Sequence, residues 1–187
     1  KMVVAALGYT PAVADKGGWP TGYLVIASDK GISKGLNNGA GDPATREIVA
    51  RLVFQALDAP IMEQVGYGKD ATYQAMDGTN GLAKKTMLTT GLHIYKLKGQ
   101  VVANNTTSID SATSGISSDE KKIKFTVTDT YSVDMVDDEF EYGEDYIFLV
   151  GETTADQNLG YASIAYVQES DNGDWTVLSI NEEKGQN

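Results

Sequence analysis

Between positions 19 and 57 apolar residues recur at helical spacing, and beyond position 92 they alternate at the spacing of strands. The first helix opens near Pro20, where a first-turn proline is tolerated. Tyr23, Leu24, Ala27 and Ile32 line one side of it, and Gly31 offers a C-cap. A Gly/Asn-rich loop follows at 37–41, after which Asp42 or Thr45 can N-cap a second helix. Ile48, Val49, Leu52, Val53, Ala56 and Leu57 recur along this helix, and Pro60 ends it. Residues 1–8 read as the end of an earlier helix closed by Gly8. The segment 63–85 carries Gly66, Gly68, Gly78 and Gly81 and reads as an irregular connector that packs through Tyr67 and Tyr73.

The second half predicts strands. Residues 92–103 alternate and are rich in Val, Ile and Tyr. The polar stretch 104–118 reads as a loop with a short strand piece. Alternation is strong over 122–136, with Ile123, Phe125 and Val127 on one face and Lys122, Lys124, Thr126 and Thr128 on the other. A third strand covers 146–150, a single helical turn 155–159 stops at Gly160, and Asp171-Asn172-Gly173-Asp174 turns a final hairpin. The fold class is therefore α+β: an N-terminal helical unit over 1–85 with its connector, then a small antiparallel β-barrel or sandwich over 86–187.

Charge sharpens that division. Residues 1–90 hold nine basic and eight acidic side chains (+1), and residues 91–187 hold six and eighteen (−12). Phosphate backbones would repel so acidic a half, which argues against nucleic acid. The chain has no cysteine, which removes disulfides, thiolate nucleophiles and Cys-based metal sites. No apolar run is long enough to span a membrane. The start, Lys1-Met2-Val3-Val4, lacks the charge pattern and cleavage site of a signal peptide, so the chain is expected to be part of a longer exported protein.

Three short motifs carry a resemblance. An aromatic, Trp19, precedes the first helix. Gly31-Ile32-Ser33-Lys34-Gly35 closes it, and Ala44-Thr45-Arg46-Glu47 opens the second. In this combination the chain resembles a surface-layer homology repeat, the wall-anchoring unit of bacterial S-layer proteins, with one complete repeat and the tail of a preceding one at 1–8. It departs from the pattern at Ile48, where the family usually carries Glu, and Glu47 stands one place early. The second half resembles the segment that follows such repeats in some clostridial surface proteins, through Leu92-His93-Ile94-Tyr95-Lys96-Leu97-Lys98-Gly99 and Leu159-Gly160-Tyr161.

The resemblance implies an extracellular, non-catalytic protein of a Gram-positive cell wall or S-layer, with no cofactor and self-association in a surface lattice. Its partner would be secondary cell-wall polysaccharide, often bearing pyruvate, held by Trp19, Thr45, Arg46 and Glu47. The physical sense lies in Arg46, whose planar guanidinium suits a paired hydrogen bond to a carboxylate beside helix-terminal N–H groups. Trp19 would stack on a sugar face; its alternative is a core position.

Other chemistry is weaker. Asp134, Asp137, Asp138, Glu139, Glu141, Glu144 and Asp145 form an acidic run. It lacks the spacing of a calcium loop, so no metal site is assigned and a solvated surface is the expectation. His93 is the single histidine and has no Gly-x-Ser-x-Gly elbow to serve. Two alternatives to anchoring stay open: a β-domain module for a glycan or protein, and an extracellular glycoside hydrolase using a carboxylate pair.

Overall fold

The computed structural model describes residues 1–37, 41–109, 116, 117, 119 and 121–183. They form two compact units, Lys1–Gly91 and Leu92–Asn187. The division between them falls at Gly91. The tip of the Gly/Asn loop at 38–40 and most of the polar stretch 110–120 lie outside the described residues.

The first unit is built from helices α1 (Met2–Ala6), α2 (Thr21–Asp29) and α3 (Arg46–Leu57), with a 3-10 helix at Thr10–Lys16. Gly8, at φ +87°, follows α1 as the sequence predicts, and Gly31, at φ +73°, follows α2. Pro20 sits at the N-cap of α2, one place before the helix proper. The buried face of α2 is Gly22, Ile26 and Ala27. Leu24, expected inside, is half exposed, because Gly22 lets the helix press directly on the backbone at Val13 and this fixes its rotation. On α3 the inward positions are Leu52 and Ala56, which pack with Val4, Leu7, Ile26 and Ile32. Val49 and Val53, at the same helical spacing, are 47% exposed and Phe54 is 63% exposed. Helical spacing marked the apolar positions, but this unit covers only one narrow side of the helix.

The segment 63–85, read as irregular, contains an antiparallel hairpin. Its strands are β1 (Met62–Val65) and β2 (Thr72–Ala75), paired from Met62↔Ala75 to Val65↔Thr72. Backbone bonds tie it in: Met62 N–H donates to Leu7 C=O at 2.8 Å, and Ile61 N–H to Lys85 C=O at 3.0 Å. Met62 and Ala75 pack on the helical core.

Tyr9 is the polar key of this core. Its ring is buried and its hydroxyl donates to Pro60 C=O at 2.8 Å. Burial, helped by the Asp77 carboxylate, pushes the phenol from 10.0 up to about 12. The folded state holds this proton more tightly than the unfolded chain. The associated stability is complete below pH 10 and is lost as pH rises towards 12, a change of about 2–3 kcal/mol. Denaturant unfolding of the full chain across that window should show the loss. Tyr9→Phe should flatten it while costing about 0.5–1.5 kcal/mol at neutral pH.

The second unit holds β3 (Ile94–Asn104), β4 (Lys122–Asp129), β5 (Asp145–Val150), β6 (Ala162–Glu169) and β7 (Trp175–Glu182). Of barrel and sandwich, the pairings give a closed five-stranded ring, β3-β4-β5-β7-β6 and back to β3. Every pairing is antiparallel except β5 with β7, which is parallel and limited to Leu149↔Thr176 and Val150↔Val177. Ile123, Phe125 and Val127 are buried, as their alternation predicts, with Leu97, Val101, Val167 and Val177 opposite. The predicted single-turn helix is a 3-10 turn at Ala155–Gln157. The last hairpin turns at the predicted place, with Ser170 N–H donating to Asp174 C=O at 2.8 Å and Gly173 at φ +82°.

The strand predicted over 122–136 ends at Asp129. Tyr131 and Ser132 take left-handed conformations, φ +60° and +50°, which break the strand. A short helix, α4 (Asp134–Asp137), follows and delivers Val133, Val136 and Phe140 to the core. His93 stands just before β3 at φ +52°, outside the strand in which alternation placed it.

Candidate functional site

The start of α3 is built by its cap. Thr45 is extended (ψ 163°), and its Oγ1 accepts the Ile48 N–H at 3.3 Å, so of the two candidate caps Thr45 fills the role. Arg46 and Glu47 then form the first turn, both exposed. Glu47 is paired with Arg51 one turn on, at 3.0 Å. Such a solvent-facing pair contributes only a few tenths of a kcal/mol. Among the described residues Arg46 has no ion-pair partner. A cation on the first turn also opposes the helix dipole, so Arg46 does nothing for the helix itself. It sits beside unsatisfied N–H groups that favour an anion.

Trp19 is not a core residue: it is 69% exposed. Its ring stands edge-on to Tyr23 at 5.7 Å, with Lys1 Nζ 5.5 Å from its centre. Trp19 thus has an aromatic and cationic neighbourhood of its own, whereas Thr45, Arg46 and Glu47 are brought together on one helical turn.

The acidic run resolves into parts. Asp145 is held below the usual carboxylate range by hydrogen bonds from Lys124 and Thr126, at 2.7 and 2.6 Å. Asp137 accepts from Thr130, and Asp129 accepts the Tyr131 N–H at 2.6 Å. Asp129, Thr130 and Asp137 line, with Glu141 and Tyr142, an open cleft of about 330 Å³. Among the described residues no three His, Asp or Glu side chains gather as metal ligands. Of the two tyrosines expected to pack the 63–85 segment, Tyr67 at the hairpin turn is 92% exposed and Tyr73 is half exposed, and a further exposed tyrosine, Tyr142 at the cleft, gave no signal in the sequence. Gly66-Tyr67-Gly68 was the available signal for Tyr67, since an aromatic between two glycines has little to pack against. No described helix is long and apolar enough to cross a membrane.

Two partial relatives agree with the picture. A middle cell wall protein of Brevibacillus brevis is 33% identical over 93 residues, covering 50% of this chain and 8% of that protein. A surface layer protein of Brevibacillus choshinensis is 36% identical over 81 residues, covering 42% of this chain and 7% of that protein. The chain therefore corresponds to less than a tenth of the length of the relatives it matches. No family model and no solved structure matches. The relatives point to an extracellular location, at the cell wall or in the surface layer, and to a structural role there.

Proposed function

We propose that the chain is a non-catalytic anchoring segment of a surface-layer protein, and that its first unit acts as a surface-layer homology repeat that binds secondary cell-wall polysaccharide. The observation that carries this reading is Arg46. It is an exposed cation on the first turn of a Thr45-capped helix, where it has no structural task. A carboxylate on the polymer, such as a pyruvate ketal, would meet both the guanidinium and the free N–H groups of the turn. Trp19, exposed beside Tyr23, would offer a sugar face its stacking surface, and Glu47 would orient hydroxyl groups. The uncovered Val49, Val53 and Phe54 suit a helix that neighbouring repeats complete. The second unit serves as spacer or assembly surface.

Binding of the chain to purified wall polymer should weaken roughly ten- to hundredfold on Arg46→Ala. Arg46→Lys should recover only part of it, because an ammonium keeps the charge but loses the planar pair of donors. Equal affinity of all three proteins would rule out Arg46 as the contact.

A second reading places a glycan or protein ligand on the second unit, favoured by the cleft of Asp129, Asp137, Glu141 and Tyr142. Binding of that kind would survive Arg46→Ala and fall with Tyr142→Ala.

A further inference from the structure

The ring of strands in the second unit closes through its weakest seam. β5 meets β7 only at Leu149↔Thr176 and Val150↔Val177, so beyond Val177 no described strand pairs with β7 on that side. On its other side β7 continues against β6 to Ser163↔Glu182. The Glu183 N–H donates to Ala162 C=O at 2.8 Å, which sets the phase of this ladder. In an antiparallel pair, residues alternate between those that bond the partner strand and those whose N–H and C=O point away. Asn181 and Ser179 therefore bond β6, and Ile180 and Glu182 turn their backbone groups to the open edge. Leu178, next to them, is 43% exposed. Natural proteins blunt such an edge with Pro, Lys or a cover. Residues 178–183 carry neither Pro nor Lys, and their charges are Glu182 and Glu183.

We propose that this edge pairs with the same edge of a second copy of the chain, antiparallel about a two-fold axis at Ile180. The sequence of β7 is self-complementary in that register. Ile180 faces Ile180, each exchanging N–H and C=O with the other. Leu178 faces Glu182, and Ser179 faces Asn181, two polar side chains able to bond each other. No carboxylate lies opposite another: Glu182 meets Leu178, and Glu183 meets Val177 while held by Lys98 at 2.7 Å. An isologous contact of this kind is the commonest route to a dimer. The −12 balance of residues 91–187 opposes it at low ionic strength and is screened as salt rises. The inference goes beyond wall binding and does not depend on it.

The test is sedimentation velocity of the whole chain over a wide concentration range, at low and high salt. The expected result is a reversible shift from the 20.0 kDa monomer to twice that mass, favoured by salt. Ile180→Pro removes the outward N–H without touching the β6 ladder and should abolish the shift. Leu178→Lys, which alters no backbone group, should weaken it at least tenfold and serves if the proline variant does not fold. A single monomeric species under every condition overturns the proposal. So does a dimer that either folded variant leaves unchanged. Wall binding by a strictly monomeric chain would overturn the dimer and leave the anchor intact; a dimer without wall binding would do the reverse.

Discussion

Phe140→Ala is expected to destabilise the second unit by about 3–5 kcal/mol, a large share of the stability of a domain this size. Phe140 is 2% exposed although it stands in the most acidic stretch of the chain. Four rings surround it: Trp175 and Tyr146 at 4.9 Å, Phe148 at 5.9 Å and Tyr95 at 6.0 Å, all edge-on. Each such contact adds to the cost of the cavity that alanine would leave. Urea unfolding of the full chain, followed by tryptophan emission, measures the loss. Tyr142→Ala, two residues on and 79% exposed, is the control and should stay within about 0.5 kcal/mol of the parent. A cost for Phe140→Ala as small as that of the control would mean that α4 and its following loop do not seat this ring in the core.

Gly22→Ala should destabilise the first unit by about 1–3 kcal/mol. On an exposed helical site the same change would stabilise by about 1 kcal/mol through helix propensity, so the sign is informative. Gly22 is buried on α2 against the 3-10 helix, and a Cβ there would run into the carbonyl of Val13, with Val13 Cγ1 only 3.0 Å away. Backbone cannot rotate aside as a side chain can, so α2 must shift and the contacts of Ile26 and Ala27 loosen with it. A thermal melt in which Gly22→Ala matches or exceeds the parent would show that α2 does not press on Val13.

The parts of this fold that were legible in the sequence are those where one local rule acts alone. Ile123, Phe125 and Val127 alternate and are buried; Asp171-Asn172-Gly173-Asp174 forms a turn; Thr45 caps a helix. Misreadings arose where a local pattern was overridden. Alternation runs on past Asp129 into Val133 and Met135, but two left-handed residues end the strand and a helical turn replaces it. The hairpin of β1 and β2 has strands of four residues separated by glycines, too short for periodicity to register, and is fixed by backbone bonds to Leu7 and Lys85. On α3 the apolar pattern runs further round the helix than this unit can cover, so Val49 and Val53 fall at helical spacing and yet stay half exposed. Phe140 is a lone apolar residue among carboxylates and gave no pattern at all. At the candidate site, the first turn of α3 could be read from Thr45-Arg46-Glu47, whereas the exposure of Trp19 could not, because an aromatic before a helix serves a core or a surface equally well.

The measurement that bears most directly on the anchoring role is co-sedimentation of the chain with purified Gram-positive cell walls, before and after chemical removal of the secondary polymer. The anchor account predicts that the chain pellets with intact walls, stays in solution with stripped walls, and is released from intact walls by Arg46→Ala. Equal pelleting with intact and stripped walls, or none with either, would contradict it.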